Sequence, residues 1–146
     1  MIKIDEIEES LKNKGYKLTK QRNSIIEVLI ENIGKFLSVE DIYLKCKDKY
    51  PKTNLSTVYR NLEILEDINL VHKTNITGAS ASYEIVCSDC HHHHVICKTC
   101  GKTEVIDFCP IQEFTSKVAE DGFLVTDHKI ELYGYCKNCT KKVIKE

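Results

Sequence analysis

The chain has 146 residues, 42% hydrophobic and 29% charged, with 21 basic against 22 acidic side chains. That length suits one medium domain or two small ones and excludes an elaborate catalytic module beside a second unit. No run approaches the about 18 consecutive apolar residues of a membrane span, and the acidic N-terminal stretch is unlike a signal peptide, so a cytoplasmic protein without a membrane partner is expected.

In a reducing compartment eight cysteines argue for metal or redox chemistry rather than a disulfide framework. The net charge of −1 gives no global sign of nucleic-acid binding, but Lys12, Lys14, Lys17, Lys20 and Arg22 form a local basic run without an acid among them. Up to Val86 there is one cysteine, Cys46, and one histidine, His72. The remaining 60 residues hold seven cysteines and five histidines. That break in composition predicts two domains, 1–86 and 87–146.

In the first domain Ile4, Ile7 and Leu11 mark a helix ending near Gly15, and Thr19 caps a second helix with Ile25, Ile26, Leu29 and Ile30 in its core. Ser38 and Asp41 form the start signal of a third helix carrying Ile42, Tyr43 and a packing Cys46, stopped by Pro51. A fourth helix begins near Asn54 and buries Leu55, Val58, Leu62 and Leu65 as one stripe, so Tyr59, Arg60 and Glu63 project from its other side. Leu70–Thr74 and Ser80–Val86 then read as two strands joined by a turn at Thr77 and Gly78. Helices, an exposed helix and a hairpin make a winged helix-turn-helix. Its exposed helix suits the major groove of double-stranded DNA, with Tyr59 and Arg60 as candidates for base contacts.

The second domain is dominated by metal ligands. Cys97-x-x-Cys100 and Cys136-x-x-Cys139 are two knuckles that together complete a closed, tetrahedral four-thiolate site of the structural zinc type. A redox Cys-x-x-Cys requires only one such motif, at a strand-to-helix turn. The 35 residues between the knuckles make them the closure of a small domain rather than of one hairpin. Before the first knuckle runs Cys87-Ser88-Asp89-Cys90-His91-His92-His93-His94. In an extended chain His92 and His94 share one face and His91 and His93 the other, so four consecutive histidines serve two sites. Asp107 and Cys109 follow, then a helix from about Pro110 to Asp121 capped by Gly122, and a strand containing His128 and Ile130–Tyr135. The expected class is α+β: a winged helix-turn-helix, then a small α/β dimerisation domain with a four-cysteine zinc site.

In this order Gly15-Tyr16-Lys17-Leu18-Thr19 with Gln21-Arg22, Ser56-Thr57-Val58-Tyr59-Arg60-Asn61-Leu62, His91-His92-His93-His94-Val95-Ile96-Cys97-x-x-Cys100-Gly101-Lys102, and His128 with Leu132-Tyr133-Gly134-Tyr135-Cys136-x-x-Cys139 resemble the ferric uptake regulator (Fur) superfamily over nearly the whole chain. The resemblance implies a homodimeric metalloregulator that binds an inverted-repeat operator, with Lys17 near the minor groove and Tyr59 and Arg60 on bases. Iron and peroxide sensors of the family draw a histidine from just before the third helix, where this chain has Phe36. The zinc-responsive branch is a better likeness and implies a sensory zinc site of His72, Cys87, His92 and His94, with Cys90 competing for the place of Cys87. A further family site would use His91, His93 and His128 with Glu113. Thiolate beside imidazole suits Zn²⁺, whereas a carboxylate-rich set suits Fe²⁺ or Mn²⁺, which stay the alternative at the regulatory site. A zinc hydrolase built on His92, His94 and Cys87 with Glu84 as base is the rival from another class. It needs an open coordination position and leaves the winged helix without a role, so no catalytic residue is assigned.

Overall fold

The computed structural model describes residues 3–75, 81–86 and 91–144. The chain divides into two compact units, Met1–Asp89 and Cys90–Glu146.

The first unit begins with α1 (Ile4–Asn13) and α2 (Lys20–Glu31), followed by a short strand β1 (Leu37–Ser38), α3 (Val39–Lys49) and α4 (Leu55–Asp67). It closes with β2 (Val71–Asn75) and β3 (Ala81–Ile85). Three of the four helices start on a side chain that accepts a backbone N–H of the first turn: Thr19 from Arg22, Ser38 from Asp41 and Asn54 from Thr57. Gly15, with φ of +83°, supplies the left-handed residue after α1. Ile7, Leu11, Ile25, Ile26, Leu29, Ile42, Cys46, Val58, Leu62 and Leu65 meet in one core closed on the sheet side by Tyr83 and Ile85. Each buried aliphatic side chain there contributes about 1.5–3 kcal/mol. Burial also pushes the Cys46 thiol up, in keeping with a packing role.

Two expectations for this unit change. Leu55 is 39% exposed, because it is the first residue of α4 and lies ahead of the core; Asn61 takes a place on the buried face instead. Arg22 leaves the basic run, being only 8% exposed. The sheet also gains a strand unseen in the sequence: β1 pairs antiparallel with β3, and the order is β1-β3-β2. The turn expected at Thr77 and Gly78 lies outside the described residues.

The second unit contains β4 (His93–Cys97), β5 (Thr103–Ile106), α5 (Ile111–Glu120), β6 (Glu131–Gly134) and α6 (Lys137–Val143). Strand β4 is central, antiparallel to β5 and parallel to β6. The strand expected to include His128 begins only at Glu131, so His128 lies in the segment leading into it. Among the described residues no helix is long and apolar enough to cross a membrane.

Candidate metal centres and nucleic-acid face

One constellation in the second unit is Cys97, Cys100, Cys136 and Cys139, whose sulfurs all lie within 4.8 Å of one another. Cys97 ends β4, and Gly101, with φ of +75°, turns the chain so that Cys100 faces back. Cys136 leaves β6 and Cys139 sits in the first turn of α6. The parallel pairing of Cys97 with Gly134 and the bond from Lys98 N–H to the Gly134 carbonyl, 2.8 Å, bring the two knuckles together. Four sulfurs bound at about 2.3 Å to one tetrahedral ion stand about 3.8 Å apart. Cys100 Sγ and Cys136 Sγ are 3.7 Å apart.

The electrostatics fit a dication. Backbone N–H groups of Cys100 and Cys136 stabilise the Cys97 thiolate and hold its pKa down at about 6; the Cys136 N–H lies 3.3 Å from Cys97 Sγ. Cys139 is pushed up to about 12, first by its bond to the neighbouring Cys136 sulfur and then by burial. Four thiolates at this spacing repel one another unless a cation lies between them.

The histidine run behaves as its extended geometry requires. The His92 and His94 rings are 4.9 Å apart and the His91 and His93 rings 4.7 Å apart. The His91–His93 face gathers a second group, His91, His93, Cys109 and His128, with ligand atoms all within 4.8 Å of one another. Cys109 is a residue that sequence reasoning passed over as a ligand. Glu113, expected to fill that place, is exposed on α5 and is not among the gathered donors. Burial, and then the neighbouring His91 and His128, hold His93 below the usual histidine range, which favours the neutral imidazole that can ligate a metal.

In the first unit the wing sheet carries a row of chemical interest. His72 on β2 lies directly opposite Glu84 on β3. Leu37 pairs with Tyr83, so the same register continued by one residue sets Phe36 opposite Glu84. Directly opposed residues share a sheet face, and Phe36, Glu84 and His72 therefore form one row. Glu84 is 1% exposed, and one of its carboxylate oxygens accepts the Gly34 N–H at 2.8 Å. A charge in the middle of a strand that is otherwise apolar or small was the signal that could have marked it as a ligand candidate. Cys87 and Cys90 lie outside the described residues.

The face of α4 opposite its buried stripe presents Tyr59, 41% exposed, and exposed Arg60, and Lys17 is exposed before α2. Arg22 locks this arrangement from inside. Its Nε donates to Asn61 Oδ1 on α4 at 2.9 Å, its Nη1 donates to the Lys17 carbonyl, and its guanidinium lies 5.6 Å from the Tyr16 ring centroid. Asn61 is held in turn by its bond to the Thr57 carbonyl, 2.8 Å.

The model of the ferric uptake regulator family matches residues 13–133. The ferric uptake regulation protein of Bacillus subtilis (strain 168) is 35% identical over 143 residues, covering 96% of each chain. The peroxide operon regulator of the same organism is 34% identical over 140 residues, covering 95% of this chain and 94% of the relative. Among solved structures, the ferric uptake regulator of Helicobacter pylori, described as having three functional metal-binding sites, superposes with a TM-score of 0.75 at 30% identity, covering 94% of this chain and 91% of the other. With its winged helix, two cysteine knuckles and histidine run in place, the chain belongs to the ferric uptake regulator family.

Proposed function

We propose that the chain is a cytoplasmic, zinc-responsive transcriptional repressor that binds inverted-repeat operators as a metal-loaded homodimer and controls zinc-uptake genes. Cys97, Cys100, Cys136 and Cys139 hold structural zinc. Tyr59 and Arg60 read bases, and Lys17 makes a supporting contact. The sensory zinc is held by His72, Cys87, His92 and His94. Dimerisation is supported by the exposed apolar side chains Phe108, Phe114, Phe123 and Leu124 of the second unit.

The observation that carries the choice of metal is the wing row. A phenyl group stands at Phe36, so the chain offers no imidazole there, and the remaining set of three imidazoles and one thiolate suits four-coordinate Zn²⁺. Metal acts through its different affinity for the arrangements of the dimer that do and do not bind operator. Such couplings are typically about 1–3 kcal/mol, or roughly 5- to 150-fold in affinity for operator.

A second reading has its own support. Glu84 on the same face as His72 is a carboxylate of the kind that suits Fe²⁺ or Mn²⁺, and two relatives are named as iron and peroxide regulators. Phe36→His separates the two. On the zinc reading the wild-type chain gains operator affinity with Zn²⁺ and not with Fe²⁺, and Phe36→His acquires a response to Fe²⁺. A wild-type chain that already answers Fe²⁺ and gains nothing from the substitution supports the second reading.

A further inference from the structure

We propose that Cys109, rather than a carboxylate such as Glu113, is the fourth ligand of the further family site that holds His91, His93 and His128, which makes it a site of three imidazoles and one thiolate that favours a borderline-soft dication such as Zn²⁺. The proposal does not depend on which metal the regulator senses or on the His72 and Cys87 assignments.

Strand register delivers the ligands. The parallel pairing of β4 with β6 sets His94 opposite Glu131; continued three residues back it sets His91 beside His128. The antiparallel pairing sets His93 opposite Ile106, the last residue of β5, so Cys109, three residues on, emerges at the same end of the sheet. Glu113 lies farther along, in the first turn of α5 and exposed.

The balance of donors and acceptors favours an ion over hydrogen bonds alone. His128 Nε2 is 3.3 Å from Cys109 Sγ and 3.1 Å from His91 Nε2. Tetrahedral zinc at ordinary bond lengths sets such nitrogen–sulfur and nitrogen–nitrogen edges at about 3.6 and 3.4 Å, so the donors need move apart by only about 0.3 Å to admit the ion. A single imidazole nitrogen carries either one proton or one lone pair, so it satisfies only one of these two neighbours by hydrogen bonding. An ion at the centre satisfies both. Independently, His93 is 5% exposed and its Nε2 is buried without a hydrogen-bond partner among the described residues. A buried polar atom left in that state is costly unless something ligates it.

Cobalt(II) tests the proposal directly, because a thiolate ligand gives sulfur-to-cobalt charge-transfer absorption and imidazole or carboxylate ligands do not. The full chain is prepared with zinc in the four-cysteine cluster and with Cys87→Ala and Cys90→Ala, which leaves Cys109 and the core residue Cys46 as the other thiols. Titration with Co²⁺ is expected to give the charge-transfer band with one equivalent. Cys109→Ser is expected to abolish the band and weaken binding beyond the roughly 10- to 100-fold that loss of an outer-shell partner costs. Cys109→Asp is expected to bind Co²⁺ without the band, and Glu113→Gln to leave it unchanged. His128→Ala with all cysteines retained is expected to lose one metal equivalent, which keeps the test available should the cysteine variants fold poorly. Absence of the band while Cys109 is intact, its persistence in Cys109→Ser, its loss in Glu113→Gln, or an unchanged metal count in His128→Ala overturns the assignment.

Discussion

Replacing Arg22 by alanine is expected to destabilise the first unit through the acceptors it abandons rather than through lost surface charge. The guanidinium is 8% exposed and donates to Asn61 Oδ1 at 2.9 Å and to the Lys17 carbonyl. A hydrogen bond from a charged donor contributes about 1.5–3 kcal/mol, and a buried acceptor left unsatisfied costs about 1–3 kcal/mol. The Lys17 carbonyl lies at an exposed residue and recovers a water; Asn61 Oδ1, on a residue 5% exposed, does not. Against this, burial holds the Arg22 pKa below its usual value, a sign that desolvation of the cation already offsets part of the gain. The net expectation for Arg22→Ala is a loss of about 2–3 kcal/mol. Urea unfolding followed by helical circular dichroism measures it, since α1–α4 carry most of the described helix. Arg22→Met combined with Asn61→Leu should cost less than Arg22→Met alone, because the buried acceptor is removed with its donor. A loss under about 0.5 kcal/mol for Arg22→Ala, or a double variant worse than the sum of its parts, refutes the reasoning.

Cys97→Ser should lose tightly bound zinc, thermal stability and dimer together, because zinc binding at such a site supplies on the order of 10 kcal/mol of folding free energy; a stable, zinc-free dimer seen by metal analysis and sedimentation counts against the assignment. Arg60→Ala should lose about 1–3 kcal/mol of preference for operator over random duplex, whereas Lys17→Ala should weaken both similarly and flatten the salt dependence, as fluorescence anisotropy at several salt concentrations will report. Cys87→Ala should keep fold, dimer and structural zinc but lose zinc-activated operator binding, while Cys90→Ala changes little; the reverse pattern transfers the sensory ligand to Cys90.

Much of the fold was legible because its signals are local. Thr19, Ser38 and Asn54 cap the helices they were expected to cap, or nearly so, and the alternation of an extended histidine run separates His92 and His94 from His91 and His93 as geometry demands. What escaped was set by pairing between distant segments. Arg22 looked like one more surface cation, although 22, 25, 26 and 29 already have the spacing of a buried helix face. Cys109 joins three histidines only because β5 ends opposite His93 and β6 begins opposite His94, and no spacing within the sequence reports either register. Glu84 acquires its interest from lying between Phe36 and His72, a relation created by two strand pairings.

The central claim, that zinc controls DNA binding by this chain, is tested most directly by anisotropy of a labelled inverted-repeat duplex titrated with the zinc-cluster-loaded dimer at buffered free Zn²⁺ and, anaerobically, at buffered free Fe²⁺. The account predicts that operator affinity rises about 5- to 150-fold across the Zn²⁺ series and stays flat across the Fe²⁺ series. Affinity that rises with Fe²⁺ at concentrations where Zn²⁺ has no effect contradicts it.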